Sequence, residues 1–275
     1  MSSLEPLKFY RLLPWRGKGS WIKLSGYTLL GYALSHRLNP PLVLLNFLTL
    51  GGIFMYGFSL NDYFDFVLEG ETNYVGEVVG RRGRGKAILL VLLPLSSLVL
   101  LPLFPLPSSL LLFLFFLILT THSLPPLRMR NRFSGLGYLL LPAGYTLTAA
   151  QAHLLLSPLS ISHLLFLSLV FLAACQDEML GLLLRKKEVG KRVEGLALWL
   201  SPTLSILSLI LLPLSPFFLI TTVFSLLKGE GLRRIARRGF HLGEDPLWRR
   251  MKPMGLSLST YHLGAYALLG LLGLF

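Results

Sequence analysis

Between positions 40 and 60 the sequence carries no charged residue, and apolar runs of this kind recur along its length. A stretch of about 20 apolar residues is long enough to cross the hydrocarbon of a bilayer as a helix. Nine candidate spans can be marked, at approximately 22–36, 40–60, 87–103, 108–124, 136–156, 160–183, 195–212, 216–227 and 257–274. Prolines in 103–107 separate the third from the fourth, and Pro213 and Pro216 separate the seventh from the eighth. With 53% hydrophobic and 14% charged residues over 275 positions, the chain is too apolar for a soluble protein. The expected fold is all-α and integral to the membrane: nine transmembrane helices in one bundle, forming a single membrane-embedded domain over residues 1–275.

Charge then orients the bundle. The formal net charge is +13, from 26 Lys and Arg against 13 Asp and Glu. Every Lys and Arg except Arg37 falls on the N-terminal arm or in the loops after the second, fourth, sixth and eighth spans, and all the acids share that side. The positive-inside rule places the N-terminus and these loops in the cytoplasm and the C-terminus outside. The excess charge therefore reads as a topology signal facing membrane lipids. Nucleic acid is not its partner, and no protein partner is implied.

The outer face holds almost nothing able to do polar chemistry, so function belongs to the cytoplasmic face of a multi-pass cell-membrane protein. The stretch 228–252, with Arg233, Arg234, Arg237 and Arg238 on shared helical faces, reads as a basic helix on anionic headgroups. The arm with Lys8, Arg11, Arg16, Lys18 and Lys23 lacks a cleavage site and is not a secretory signal. A single cysteine, Cys175, excludes an internal disulfide and a cysteine-based metal cluster.

The chemistry concentrates where the second span ends. Segment 61–69 reads Asn-Asp-Tyr-Phe-Asp-Phe-Val-Leu-Glu. Asp62, Asp65 and Glu69 are spaced i, i+3, i+7, within roughly a 60° arc of a helix. Three carboxyl groups on one face at the end of a span are costly to leave unpaired. A hard divalent cation is the usual way to hold such a set, and it often carries a phosphate too. Glu71 and Glu77 follow, then the glycine-punctuated basic loop Arg81-Arg82-Gly83-Arg84-Gly85-Lys86, which suits a phosphorylated ligand.

Two further landmarks lie on the same side. After the fourth span come Thr121-His122-Ser123-Leu124-Pro125-Pro126-Leu127-Arg128-Met129-Arg130-Asn131-Arg132: the prolines stop the helix, and arginine forks suit phosphate. Near the end of the sixth span stand Gln176-Asp177-Glu178, flanked by apolar residues, with Arg185, Lys186 and Lys187 beyond. At least one of this acidic pair faces the protein interior and can supply a second metal ligand. Of the histidines, His122 stands beside the prolines, while His36, His153, His163, His241 and His262 show no metal-ligand spacing.

Asn-Asp-x-x-Asp-x-x-x-Glu, then Ser-Leu-Pro-Pro-Leu-Arg-Met-Arg, then an acidic pair, in a chain of nine spans with its N-terminus inside, resembles the UbiA-type intramembrane prenyltransferases. The resemblance covers most of the chain. In that family the first motif is Asn-Asp-x-x-Asp-x-x-x-Asp, so Asn61, Asp62 and Asp65 match and Glu69 is a conservative departure. The second motif departs further. The family repeats Asp at three- or four-residue steps, whereas here Gly181 stands four residues after Asp177 and a basic run follows.

The resemblance implies magnesium and a prenyl diphosphate held at Asn61, Asp62, Asp65 and Glu69, with Asp177 and Glu178 as a second set. Asp62, Asp65 and Asp177 are then the catalytic candidates. Arg128 and Arg130 match positions that hold the diphosphate; Lys186 is a further candidate, and Arg11, in Arg11-Leu12-Leu13-Pro14, is similar to the family's entry segment. The activity implied is Mg²⁺-dependent transfer of a polyprenyl group to a lipophilic acceptor. Aromatic side chains such as Phe54, Tyr56, Phe58 and Tyr63 would shield cationic carbon. The alternative is a non-catalytic homologue that binds polyprenyl lipid, which the altered second motif favours. A secondary transporter fits poorly, because the acids lie at the ends of spans rather than at mid-depth.

Overall fold

Proline and glycine set most of the boundaries in the computed structural model, which describes residues 5–12, 22–35, 37, 39–125, 127, 137–184, 191–214, 217–237, 264, 265 and 268. All regular structure among these residues is helical. The α-helices are α1 (Glu5–Phe9), α2 (Ile22–Ser35), α3 (Pro40–Glu69), α4 (Tyr74–Arg82), α5 (Arg84–Leu92), α6 (Leu106–Ser123), α7 (Gly137–Leu154), α8 (Ile161–Leu184), α9 (Lys191–Ile210) and α10 (Phe217–Arg237). Shorter-pitch 3₁₀ segments run over Leu93–Leu103 and Leu212–Leu214.

Each expected span from 22–36 to 216–227 coincides with described helix. The ninth, 257–274, lies outside the described residues apart from three isolated positions. Two differences are informative. The basic stretch 81–86 is helical, shared between α4 and α5 around Gly83 (φ 82°), not a loop. And α10 continues to Arg237, so the first part of the basic stretch 228–252 extends the helix that begins in the eighth expected span.

Helix α3 is organised from its ends. Asn39 caps the start by accepting the Leu42 N–H (3.3 Å), and Pro40 and Pro41 occupy first-turn positions where no N–H is needed. At the other end Gly70 adopts a left-handed φ of 67°, which a glycine tolerates. The Gly70 N–H reaches the Phe66 carbonyl and the Glu71 N–H reaches Asp65, each at 3.1 Å. Thirty residues at 1.5 Å each make a helix about 45 Å long, well beyond the ~30 Å hydrocarbon core. The surplus is the acid-bearing end.

Helix α5 tightens into 3₁₀ geometry where Pro94 enters. Proline has no N–H, so the Leu90 carbonyl four residues earlier loses its helical partner. The Tyr10 hydroxyl takes that place at 2.8 Å, tying the chain just after α1 to the top of the α5 span. Burial raises the Tyr10 phenol above its ordinary pKa, so it remains a donor.

Packing runs from neighbour to neighbour. Helix α3 lies on the 3₁₀ segment and on α6, α6 on α7, α7 on α2 and α8, α8 on α9, and α9 on α10. Small residues allow the closest approaches: a Cβ on Gly31 would stand 2.1 Å from the Ala149 carbonyl, so α2 and α7 touch backbone to backbone. A buried polar chain pins four helices, with Asn46 donating to the Tyr32 hydroxyl (2.6 Å) and Gln151 donating to Asn46 (2.9 Å) and Ser108 (2.8 Å).

The helices α3 and α6 and the Arg84–Leu103 unit are long and apolar enough to cross a membrane, and shorter apolar stretches at Ile161–Gln176 and Phe218–Leu227 join them. Outward-facing Leu44, Leu48, Leu89, Leu110, Ile206 and Ile210 give the exterior the apolar character of a membrane protein.

Candidate functional site

Asp62 and Asp65 sit one turn apart on the last part of α3, and both are buried, at 4% and 3% exposure. A carboxylate this far from water needs a partner. Asp65 accepts from the Asn61 side-chain amide at 2.7 Å, four residues back on the same face. Asp62 is met by Arg11, which comes from the other end of a separation of 51 residues. The Arg11 Nε donates to Oδ2 at 2.8 Å and its Nη2 pairs with Oδ1, so both carboxylate oxygens face one guanidinium fork.

Arg11 reaches this position through an unusual backbone. Its φ is +53°, in the left-handed region, which costs a residue with a side chain about 1 kcal/mol. Its guanidinium also lies over the ring of Phe58, 5.2 Å from the centroid. Behind it the short helix α1 is docked by Phe9, 1% exposed, against Tyr56, Leu60, Tyr63, Tyr74, Val75 and neighbours from α3, α4 and α5. Glu5 meets Arg82 (3.2 Å) and Arg81 (3.7 Å) at the protein surface.

Asn73 closes the site from the other side. Its Oδ1 accepts the Gly76 N–H (2.8 Å), capping α4, while its Nδ2 donates to the backbone carbonyl of Asp62 (2.7 Å). One buried side chain thus fixes where α4 begins and where it lies against α3.

The structure therefore brings together Asn61, Asp62, Asp65 and Arg11. Glu69 is exposed on the final turn of α3. Glu178, half-buried on α8, accepts the Tyr145 hydroxyl at 3.3 Å, and Tyr145 is itself stacked on Tyr27 with centroids 5.1 Å apart. Arg128, Arg130 and Lys186, and the side chain of Asp177, lie outside the described residues. Of the aromatic candidates, Phe54 packs edge-on against Phe115, Tyr56 lies tilted against Phe116 and Tyr63 packs edge-on against Phe64; Phe58 faces the Arg11 guanidinium.

Asn73, Glu5, Tyr10 and Tyr145 were not singled out by sequence. Asn73 carried a readable signal, an Asn just ahead of a helical stretch, but its bond to Asp62 is tertiary.

The donors suit a hard cation: two buried carboxylates and a half-buried amide at a helix end. Among the described residues no three Asp, Glu, His or Cys side chains stand close enough to hold a metal alone. Mg²⁺ usually takes one or two protein carboxylates and completes its octahedron with water and phosphate oxygens, a demand that Asp62 and Asp65 can meet.

No family model and no curated protein matches the chain in sequence. Solved structures do match in fold. A UbiA homolog from Archaeoglobus fulgidus bound to DMAPP and Mg²⁺ superposes with a TM-score of 0.71 at 14% identity, over 97% of this chain and 98% of that one. The same homolog bound to GPP and Mg²⁺ gives 0.71 at 15% identity, over 97% and 99%. A third structure of a UbiA homolog from Archaeoglobus fulgidus gives 0.70 at 14% identity, over 97% and 98%. The resemblance read from the motifs thus holds for the fold over nearly the whole chain.

Proposed function

We propose that this chain is an intramembrane prenyltransferase, moving a polyprenyl group from a prenyl diphosphate to a lipophilic acceptor at the cytoplasmic side of the membrane. The observation that carries this reading is the buried Asp62–Asp65 pair at the projecting end of a spanning helix, in a fold shared with a homolog that binds DMAPP, GPP and Mg²⁺. The nine-span topology with the N-terminus inside, read from the Lys and Arg distribution, puts that end in the cytoplasm.

Magnesium, held by Asp62 and Asp65 with Asn61 and Glu69 beside them, would offset the charge that builds on the diphosphate as its bond to the allylic carbon breaks. The chain's own residues do the rest. The guanidinium of Arg11 offers a planar fork at the same spot, and Arg128, Arg130 and Lys186 follow spans that end on the same face. Burial of the acids keeps water away, which strengthens each of these charge interactions. Phe58 presents an aromatic face beside the acids, suited to a cationic centre. Asp177 and Glu178 form the second acidic set; Glu178 is oriented by Tyr145.

The second motif supports one other reading, a homologue that binds polyprenyl lipid without transferring it, since Gly181 stands where a further acid is expected. Incubating the protein in detergent with labelled long-chain prenyl diphosphate, with and without Mg²⁺, across a panel of acceptors separates the two. Acceptor- and Mg²⁺-dependent diphosphate release is expected of the transferase. Binding without release across the panel supports the lipid binder.

A further inference from the structure

We propose, building on the prenyltransferase reading, that Arg11 is an exchangeable counter-ion. It neutralises Asp62 before substrate arrives and passes from that carboxylate to the diphosphate as metal and substrate enter, on the short segment that follows α1.

The two roles of Asp62 compete. Both of its oxygens accept from Arg11. A magnesium ion must approach a carboxylate oxygen to about 2.0–2.1 Å, within the space and the field of that guanidinium. Metal and arginine are like charges competing for one acceptor, so either can hold Asp62 and each weakens the other's hold. An incoming diphosphate resolves the conflict, because it offers Arg11 a second bidentate partner of the same geometry.

That segment is built for a short excursion. Arg11 is held in a left-handed backbone (φ 53°), the kind of local strain found at sites that switch. Two residues earlier, Phe9 is 1% exposed and packed among α3, α4 and α5, which makes it a pivot rather than a moving part. Tyr10 holds the Leu90 carbonyl through a single hydrogen bond, and the outer tethers at Glu5 are soft by comparison. Arg81 and Arg82, which meet Glu5, are 63% and 37% exposed, and ion pairs at such positions are worth little. Phe58 supports the guanidinium in its contact with Asp62, with the ring centroid 5.2 Å away.

The test uses the full chain in detergent, Mn²⁺ as a spectroscopic stand-in followed by EPR, and inorganic pyrophosphate as the diphosphate probe. Mn²⁺ affinity is measured with and without pyrophosphate for the native chain, Arg11→Gln, Arg11→Lys and Asp62→Asn. Exchange predicts opposite signs: Arg11→Gln binds Mn²⁺ alone about tenfold more tightly than the native chain, yet gains less from added pyrophosphate, as reciprocal coupling requires. Arg11→Lys keeps a charge against the buried carboxylate, and hence the fold, and shows the same signs at smaller size. If both Arg11 variants bind Mn²⁺ alone no better than the native chain, while Asp62→Asn abolishes binding, Arg11 is a fixed structural partner and the exchange is overturned. Mn²⁺ binding indifferent to Asp62→Asn removes the metal site and the exchange together.

Discussion

Asn73 holds Asp62 by its backbone, not its carboxylate: the amide of one donates to the carbonyl of the other at 2.7 Å. The same side chain caps α4 through Gly76, so the position of the acid and the start of the next helix are set by one residue. Asn73→Ala removes both bonds from a buried position. It is expected to lower stability in detergent by about 2 kcal/mol, the sum of a lost cap and a lost buried hydrogen bond. Thermal unfolding of native and variant protein measures this, and Asn73→Asp, which keeps only the cap, should fall between them.

The α2–α7 contact leaves no room for a methyl group. A Cβ at Gly31 would meet the Ala149 carbonyl at 2.1 Å and the Ala152 Cβ at 2.7 Å, and neither backbone nor a bare methyl can rotate away. Gly31→Ala is expected to cost about 1–3 kcal/mol through forced separation of the two helices. A lower midpoint of unfolding checks it. Gly80→Ala, whose added carbon meets nothing, is the control and should be close to neutral.

Gln151 joins α7 to both α3 and α6 through Asn46 and Ser108. Interhelical hydrogen bonds inside membranes average about 0.6 kcal/mol, so Gln151→Leu should destabilise by about 1 kcal/mol. The network lies toward the end of α3 opposite the acids, so Mg²⁺ binding should be unchanged.

Tyr10 occupies a carbonyl that Pro94 leaves open. Tyr10→Phe should cost about 1 kcal/mol and speed amide exchange in α1. Pro94→Ala supplies the missing N–H to Leu90, so the same Tyr10 change should cost less in that background. A double-mutant cycle reads the difference directly.

Much of this architecture is written locally. The uncharged run before Asn61, the Asn39-Pro40-Pro41 start and the Gly70 stop together define α3, and the spacing of Asp62 and Asp65 puts them on one face before any fold is known. What local pattern leaves out is who meets those acids. Arg11 lies 51 residues from Asp62, just beyond a five-residue helix too short to show a period, and nothing in its neighbourhood in sequence marks it as the partner of Asp62. The pairing of Tyr145 with Glu178 spans 33 residues and depends on how α7 and α8 rotate about their axes. The stretch around Gly83 reads as a loop because its basic residues and glycines have no apolar face, yet α4 is held helical by the Asn73 cap and by Val75, Val78 and Val79 buried against α3.

The central claim, that Asp62 and Asp65 serve Mg²⁺-dependent cleavage of a prenyl diphosphate, is tested most directly by diphosphate release from the native chain beside Asp62→Ala and Asp65→Ala. The account predicts release that requires Mg²⁺ and falls by about a hundredfold or more in each variant, as expected when charge stabilisation of a leaving group is lost. Release that persists in both variants, or that ignores Mg²⁺, contradicts it.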